Sequence, residues 1–520
     1  MGGETTRRFT HQTNHVRADR ARPDIVEFRR MDPENRPAPF KRYPVLEPRP
    51  LPDDLGDDLG RLLYLAAGVT RAAGSALGTT FFRVAPAAGN LHPNEVYVVC
   101  GDLPGGGRAG AAVPAGVHHY EPLEHALTLL RAGDYRSALA GEAVIGRGAE
   151  STALLVLTGL PWRTGWKYGD RGWRHLYWDA GAILANLLTV ADEGAIPVGL
   201  FAGFDDEQVA RLLGLDPGRE DPLAVVALGT PVGAPAAKVV PAGTRVDPLD
   251  VTVEPLSPRP RRFPLAESLQ RAGDLAGADA VKEWRRAAAT AEAERAPGER
   301  LRAFVDVADV ILRRGSTRLF RRERAPAELL GPVLDHAGRP LPFDAAPPGG
   351  SLLDVFLTIH AVDGVEPGAY HWARRTGRLE QLLPLTEGEA RAAGAHLCLD
   401  QPLGGDSAYT AFLCADLDPL LDRLGDRGYR AAQLEAGIVA GRLQLAAFAL
   451  GFGGTGLTFW DEEVSAFFGI AAAPMLVAAI GVPATPPAPS GRPRQPAVLG
   501  HYGDLMGRVM NDLRVRGPRG

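Results

Sequence analysis

Cysteine is scarce in this chain, with three among 520 residues. Cys100, Cys398 and Cys414 form no C-x-x-C pair. That argues against a disulfide framework or a thiolate metal site and fits buried thiols in a reducing compartment. Long hydrophobic runs are also missing. No apolar stretch approaches the roughly 18 residues that a membrane helix needs, and Met1 to Arg20 lacks the apolar core of a signal peptide. Charge of one sign is missing too. The formal net charge is −5, and the basic clusters at 259–262, 321–324 and 492–494 are local. Neither a nucleic-acid partner nor a membrane is expected. The histidines do not stand at ligand spacing: His118 and His119 are adjacent, and neighbours on a strand point apart. No metal is expected. These absences describe a soluble, cytoplasmic protein.

What the chain does have is a repeat. Gly169-Asp170-Arg171-Gly172-Trp173-Arg174 returns as Gly425-Asp426-Arg427-Gly428-Tyr429-Arg430, an offset of 256 residues. The same offset aligns Asp179-Ala180-Gly181 with Glu435-Ala436-Gly437. Each copy then continues through a helical run and a turn to an acidic helix start, Asp206-Glu207 or Asp461-Glu462. A fixed-offset match of this length means two copies of one fold. The chain divides accordingly. Residues 1–50 form a proline-rich, extended N-terminal arm, 51–235 the first copy, 236–300 a linker with a helix, 301–483 the second copy, and 484–520 a C-terminal arm. Buried strands are expected at Val96 to Cys100, Ala153 to Leu157 and Leu223 to Leu228. Their counterparts are Val355 to Ile359, Ala411 to Cys414 and Met475 to Ile480. The helix carrying Leu176, Ala180, Ile183, Leu184, Leu187 and Leu188 should bury one broad face. Mixed strands and helices predict α+β layers, and two like halves predict an intrachain pseudo-dimer.

Four segments carry chemistry, each with a plain alternative. Arg313-Arg314-Gly315-Ser316-Thr317-Arg318 offers planar cations and hydroxyls that suit a phosphate, or it is a solvated basic turn. Pro86-Ala87-Ala88-Gly89-Asn90-Leu91-His92-Pro93 is small enough for a flat ring to approach the backbone, and Asn90 offers a donor and an acceptor. Otherwise it is a tight turn before a strand. Gly451-Phe452-Gly453-Gly454-Thr455-Gly456 matches G-x-G-x-x-G, but a helix precedes it, so a Rossmann reading fails. It is read as a glycine-rich loop whose backbone touches a ligand, or as a helix cap. Trp166-Lys167-Tyr168 places an amine beside a phenol. The two could transfer protons if burial or a neighbour lowers one pKa from near ~10, or they are a surface pair.

The two copies sharpen these alternatives. With Glu95-Val96-Tyr97 on Asp354-Val355-Phe356, the Pro86 to Asn90 turn falls on Ala345 to Gly349, which has no asparagine. Lys167-Tyr168 falls on Arg423-Leu424, and nothing like Arg313 to Arg318 opens the first copy. Each half lacks what the other keeps, so a site between them would be complete once.

These residues resemble the FMN-dependent nitroreductase fold, in which a homodimer builds flavin sites across its interface. The family's Arg-x-Ser-x-Arg/Lys segment matches Arg314, Ser316 and Arg318. Its partner turn matches Pro86, Ala87, Ala88 and Asn90, with alanine in place of serine. Gly453, Gly454, Gly456 and Leu457 resemble the loop near the flavin ring, and Arg492 and Arg494 the basic residues near the chain end. Asn90-Leu91-His92-Pro93 and Lys167-Tyr168-Gly169-Asp170-Arg171-Gly172 are similar to the SagB/ThcOx azoline dehydrogenases. The resemblance implies FMN as cofactor, with Lys167 and Tyr168 serving proton abstraction. The implied reaction oxidises thiazoline or oxazoline rings in a ribosomally made precursor peptide, with oxygen as acceptor and a cyclodehydratase of the same pathway as a further partner. Two alternatives stand beside it: NAD(P)H-dependent reduction of a nitro, quinone or enamide compound, and a degenerate scaffold in a peptide-modifying complex.

Overall fold

We describe a computed structural model of the chain. It describes all residues except 1, 18–23, 27–30, 54–57, 76–77, 105–111, 142–150, 230–238, 242–243, 291–305, 348, 375 and 502–520. Parts of both expected arms and of the linker therefore lie outside the described residues.

Each of the six expected buried runs is a strand. The first sheet runs Pro48–Pro50, Ala126–Ala132, Gly116–Glu121, Asn94–Cys100, Ala153–Gly159, Asp221–Leu228, Val198–Phe201, every pair antiparallel. The second repeats this order as Arg378–Pro384, Gly368–Ala373, Asp354–Ile359, Tyr409–Ala415, Ala473–Pro483, with Gly453–Leu457 on its last long strand. Alternation explains why Val96 to Cys100 is continuously apolar. Val96, Val98 and Cys100 join the large core between the halves, whereas Tyr97 and Val99 join a second core on the other face. Both faces are covered, so both must be apolar.

Two central helices join the halves, Gly172–Glu193 and Leu417–Ala449. The first is buried from Gly172 through Leu188 without interruption. One buried face was expected; the helix is enclosed because it lies between its own sheet and its counterpart. The helices cross where the repeat aligns Gly181 with Gly437. A Cβ on Gly181 would lie 2.6 Å from the Gly437 Cα, so only glycine permits this approach. Trp173 stacks on Tyr429, its partner under the same offset, with centroids 5.7 Å apart and planes 2° apart.

The repeated arginines build the interface. Arg171 and Arg174 reach the Asp461 carboxylate at 3.0 and 2.7 Å. Their counterparts Arg427 and Arg430 hold Asp206, the latter at 2.9 Å. Each acidic helix start is thus clamped by arginines of the other half. All six side chains are buried. Such pairs add little net stability over apolar packing, but removing one partner typically costs about 3–5 kcal/mol. The glycine opening each motif bends the chain: Gly169 has φ 58° and Gly425 φ 60°, values a side chain would strain.

The N-terminal arm is not wholly extended. Residues Glu4–Thr13 form a helix. Prolines begin only at Pro23, and Phe9 packs edge-on against Trp173 with centroids 5.5 Å apart. This helix and Pro264–Ala272 are counterparts. Asp426 accepts the Thr6 N–H at 2.7 Å, and Asp170 accepts the Ala266 N–H at 3.0 Å. At the helix ends, Arg171 donates to the Thr13 carbonyl and Arg427 to that of Gly273, each at 2.8 Å. The C-terminal arm also contains a strand, Ala497–His501, parallel to Val69–Ser75. No helix among the described residues is long and apolar enough to cross a membrane. No group of three or more His, Cys, Asp or Glu side chains among them could hold a metal ion.

A candidate active site between the halves

Lys167 and Tyr168 end the helix Pro161–Tyr168, which starts on a proline at its first turn and stops at Gly169. The Pro86–Asn90 turn lies directly against them. A Cβ on Gly89 would meet the Tyr168 hydroxyl at 2.6 Å and the Lys167 Nζ at 3.2 Å. Gly89 and Asn90 both adopt left-handed φ, 62° and 57°, which glycine and asparagine tolerate best. The turn is tied to the central helix: the Ala88 N–H donates to both oxygens of Asp179, at 3.0 and 3.1 Å. Burial raises the Asp179 pKa well above the carboxylate range, opposed by that N–H. Asn90 does not hold a free donor and acceptor, as had been expected. Its Nδ2 donates to the Phe81 carbonyl at 2.8 Å, and its Oδ1 accepts from His92 Nε2 at 2.9 Å. It shapes the turn instead.

Half two supplies the opposite wall. Arg314 is buried and donates Nη2 to the Val84 carbonyl, two residues before Pro86. Its Nε and Nη1 are buried without a partner, as is Thr317 Oγ1. Burial and the neighbouring Arg71 hold the Arg314 guanidinium down at about 9. Arg318 is exposed and Ser316 half-buried. Arg318 lies close enough to act on both candidate proton-transfer groups. Burial first, then Arg318, lowers the Lys167 pKa. Burial and Asp179 raise that of Tyr168, with Arg318 opposing. At neutral pH Tyr168 is therefore a protonated donor, and Lys167 is the group biased toward accepting a proton.

The glycine segment is a strand, not a loop. Gly453–Leu457 pairs antiparallel with Ala473–Pro483, because the preceding helix already stops at Leu450 and Gly451. The Gly454 carbonyl accepts the Thr317 N–H at 3.0 Å, which ties the arginine segment to the sheet. At Gly453 a Cβ would collide with Thr317 Oγ1 at 2.3 Å, whereas at Gly456 it would touch only the Val477 carbonyl at 3.9 Å and at Gly315 it would meet nothing within 4 Å.

Among the described residues no hydrogen bond or ion pair ties Arg492 or Arg494 to this cluster. Arg494 pairs with Asp53 at 2.5 Å. Arg492 is exposed, and its backbone exchanges hydrogen bonds with Gln495. The chain end reaches the site through a residue the sequence did not single out. Arg71 is buried and donates to the carbonyls of Leu312, Arg313 and Arg314 and of Ala488 and Pro489. It fastens the end of helix Val307–Arg313 and the C-terminal arm together. Asp179 was visible only as part of the repeat. A carboxylate that accepts a backbone N–H leaves no sequence signal beyond its helical position.

The second half shows the same device without the site. Glu435, the counterpart of Asp179, accepts the Leu352 N–H at 2.9 Å and pairs with Arg374 at 3.0 Å. Leu352, not the Ala345 to Gly349 stretch, therefore takes the place of Ala88. Six positions lead from Ala88 to the strand start at Asn94; only two lead from Leu352 to the strand start at Asp354. The span that carries Asn90 and His92 has no counterpart.

A flavin mononucleotide meets suitable chemistry here. The unpartnered guanidinium nitrogens of Arg314 and the Thr317 hydroxyl need acceptors. Arg318 adds an exposed cation, and Gly315 and Gly456 leave the backbone bare for a planar ring.

Comparison with known proteins agrees with this architecture. The Nitroreductase family model matches residues 48–230 and 311–482. A nitroreductase-type protein of Methanocaldococcus jannaschii is 28% identical over 211 residues, 40% of this chain and 93% of its own. A nitroreductase-type crystal structure from Anabaena variabilis covers 92% of this chain and 99% of its own at 25% identity, with a TM-score of 0.71. A structure of the E. coli microcin synthetase McbBCD complex with truncated pro-MccB17 bound aligns at 24% identity over 43% of this chain and 80% of its own. Its TM-score of 0.27 is too low to carry an argument. With both halves matched, over more than half of its length, the chain belongs to the Nitroreductase family.

Proposed function

We propose that this nitroreductase-family oxidoreductase is an FMN-dependent dehydrogenase that converts thiazoline or oxazoline rings in a ribosomally made peptide to thiazole or oxazole. The observation that carries this is the placement of Lys167 and Tyr168 between the Gly89 turn of their own half and Arg318 of the other. Reducing a nitro or quinone group needs no base beside the site, whereas aromatising an azoline removes a proton from carbon. A half-buried lysine with a lowered pKa beside a protonated phenol suits that task.

Arg314, Ser316, Thr317 and Arg318 would hold FMN from half two; Pro86, Ala87, Ala88 and the Gly453–Leu457 strand would flank its ring. When bound, FMN supplies the hydride acceptor and passes the electron pair to oxygen. The neutral Lys167 amine takes the ring C–H proton as the hydride leaves the neighbouring carbon. The Tyr168 hydroxyl donates a hydrogen bond within the site, and Arg318 favours the neutral amine by its charge. Asp179 fixes the turn against which these groups are set. A precursor peptide, delivered after cyclisation by a cyclodehydratase, is the partner this reading requires.

The test is mass spectrometry of an azoline-bearing peptide incubated in air with FMN-loaded protein and no NAD(P)H. Loss of two hydrogens per ring is expected. The names of the family and of its relatives favour a second reading, reduction of a small molecule by NAD(P)H. Steady NADPH consumption with nitroaromatics, and no mass loss on any azoline peptide, would replace the first reading with the second.

A further inference from the structure

The offset between the halves supplies an internal comparison. Within the repeated block both halves keep the bend glycine, the clamp arginines and the crossing glycine. Among the positions at the site that differ, Lys167 aligns with Arg423, Tyr168 with Leu424, and His175 with Ala431. The first two belong to the reading above, which leaves His175 unused.

His175 sits in the first central helix, with 5% of its surface exposed. Its ring stands perpendicular to that of Tyr168, at 88°, with centroids 4.2 Å apart. Trp178 supports it from its own helix, with centroids 4.7 Å away. Nδ1 is buried without a hydrogen-bond partner, so this nitrogen gives Tyr168 no hydrogen bond. Burial, together with Arg171, His15, Arg174 and Lys167 around it, keeps the imidazole neutral. What His175 offers Tyr168 is the shape of an uncharged ring. The Gly89 turn also borders Tyr168, close enough that a Cβ there would meet the phenol oxygen.

We propose that His175 is a positioning residue, which wedges Tyr168 against the Gly89 turn and so fixes the phenol oxygen beside the Lys167 amine. The proposal rests on the function assigned above to Tyr168. In half two, Leu424 has no hydroxyl to aim and Ala431 has no ring to aim it.

The experiment uses the full chain loaded with FMN and compares His175→Ala, Tyr168→Phe and the double variant on a thiazoline peptide. His175→Ala should keep its flavin and lower kcat by about 10- to 100-fold, the order of a small misplacement. KM should move by less than about twofold. The same change should cost nothing further in the Tyr168→Phe background. His175→Phe restores a flat ring and should recover most of kcat, whereas His175→Gln should not. A second readout needs no turnover. With 3-fluorotyrosine incorporated, the Tyr168 signal is found by its loss in Tyr168→Phe. A held ring gives two resolved signals in the native protein and in His175→Phe; a freed ring gives one averaged signal in His175→Ala. Equal kcat losses in both backgrounds, or an unchanged fluorotyrosine spectrum in His175→Ala, would overturn the proposal. Full turnover by Tyr168→Phe together with the averaged signal in His175→Ala would instead remove Tyr168 from the chemistry and leave the positioning intact.

Discussion

Replacing Arg314 should separate cofactor binding from fold stability, because its two roles carry opposite signs. The guanidinium is buried, donates one hydrogen bond to the Val84 carbonyl, and leaves Nε and Nη1 unpartnered. The charged neighbour that acts on it, Arg71, is also a cation. Without flavin, those unsatisfied donors cost roughly 1–3 kcal/mol, against about 1 kcal/mol gained at Val84. Arg314→Met keeps the apolar stem and removes both terms. The flavin-free variant should therefore melt no lower than the native protein. With flavin the sign reverses. Losing a hydrogen bond from a charged group costs about 1.5–3 kcal/mol, which weakens FMN roughly 10- to 150-fold. At a concentration of about 100 native Kd, FMN should stabilise the native protein by ~2.7 kcal/mol; a variant weakened 100-fold would gain only ~0.4 kcal/mol. Thermal melts with and without FMN, beside a titration of flavin fluorescence, read both quantities. A variant that melts many degrees lower without flavin, yet binds FMN as tightly as before, would refute the argument and make Arg314 a structural residue.

The remaining chemistry gives three further expectations. Flavin released from denatured, FMN-saturated protein should amount to one per chain, because the Asn90–His92 span and the arginine segment each occur once; two per chain would sink the single-site reading. Lys167→Ala and Tyr168→Phe should stay yellow and lose about 10²–10⁴ in rate. A base must be neutral, so rate should rise with pH through the lowered Lys167 pKa; Arg318→Ala removes a repelling cation and should move that limb to higher pH. A pH profile unaltered in Arg318→Ala would mean that Arg318 does not act on Lys167.

The repeat made the fold legible because its residues do the same job twice. Arg171, Arg174, Gly181 and their counterparts are fixed by the pseudo-twofold contact, so both copies had to keep them recognisable. Lys167, Tyr168, Arg314 and Arg318 were legible because each appears in one half only. Other features left weaker traces. The helix Glu4–Thr13 is polar except for Phe9 and forms against Trp173 and Asp426, contacts far away in sequence. The glycine strand looked like a loop because glycine is a poor strand former; pairing with Ala473–Pro483 outweighs that. Arg492 and Arg494 matched by position in the chain, but position says nothing about partners, and Asp53 is the one Arg494 takes. Nor could a sequence show that Asn90 spends both ends of its amide on its own half, on the Phe81 carbonyl and on His92.

The two clamps are chemically alike but not equally placed, and this separates the needs of the fold from those of the site. Asp206 takes Arg427 and Arg430; Asp461 takes Arg171 and Arg174. Each carboxylate is buried against two guanidiniums. Asp206→Asn and Asp461→Asn should therefore destabilise the chain similarly, by an amount approaching the roughly 3–5 kcal/mol of a broken buried pair. Their effects on turnover should differ. Arg171 directly follows the Lys167-Tyr168-Gly169-Asp170 bend, and Arg174 precedes His175, so the Asp461 clamp holds the segment that carries the candidate proton-transfer groups. On the other side, the clamped arginines follow Arg423 and Leu424, where the site is broken. Asp461→Asn should lower kcat under conditions where the protein remains folded, and Asp206→Asn should not. Melting curves and turnover measured on the same two proteins decide this. Equal kcat losses would mean that the halves share one rigid core, in which any loosened clamp reaches the site.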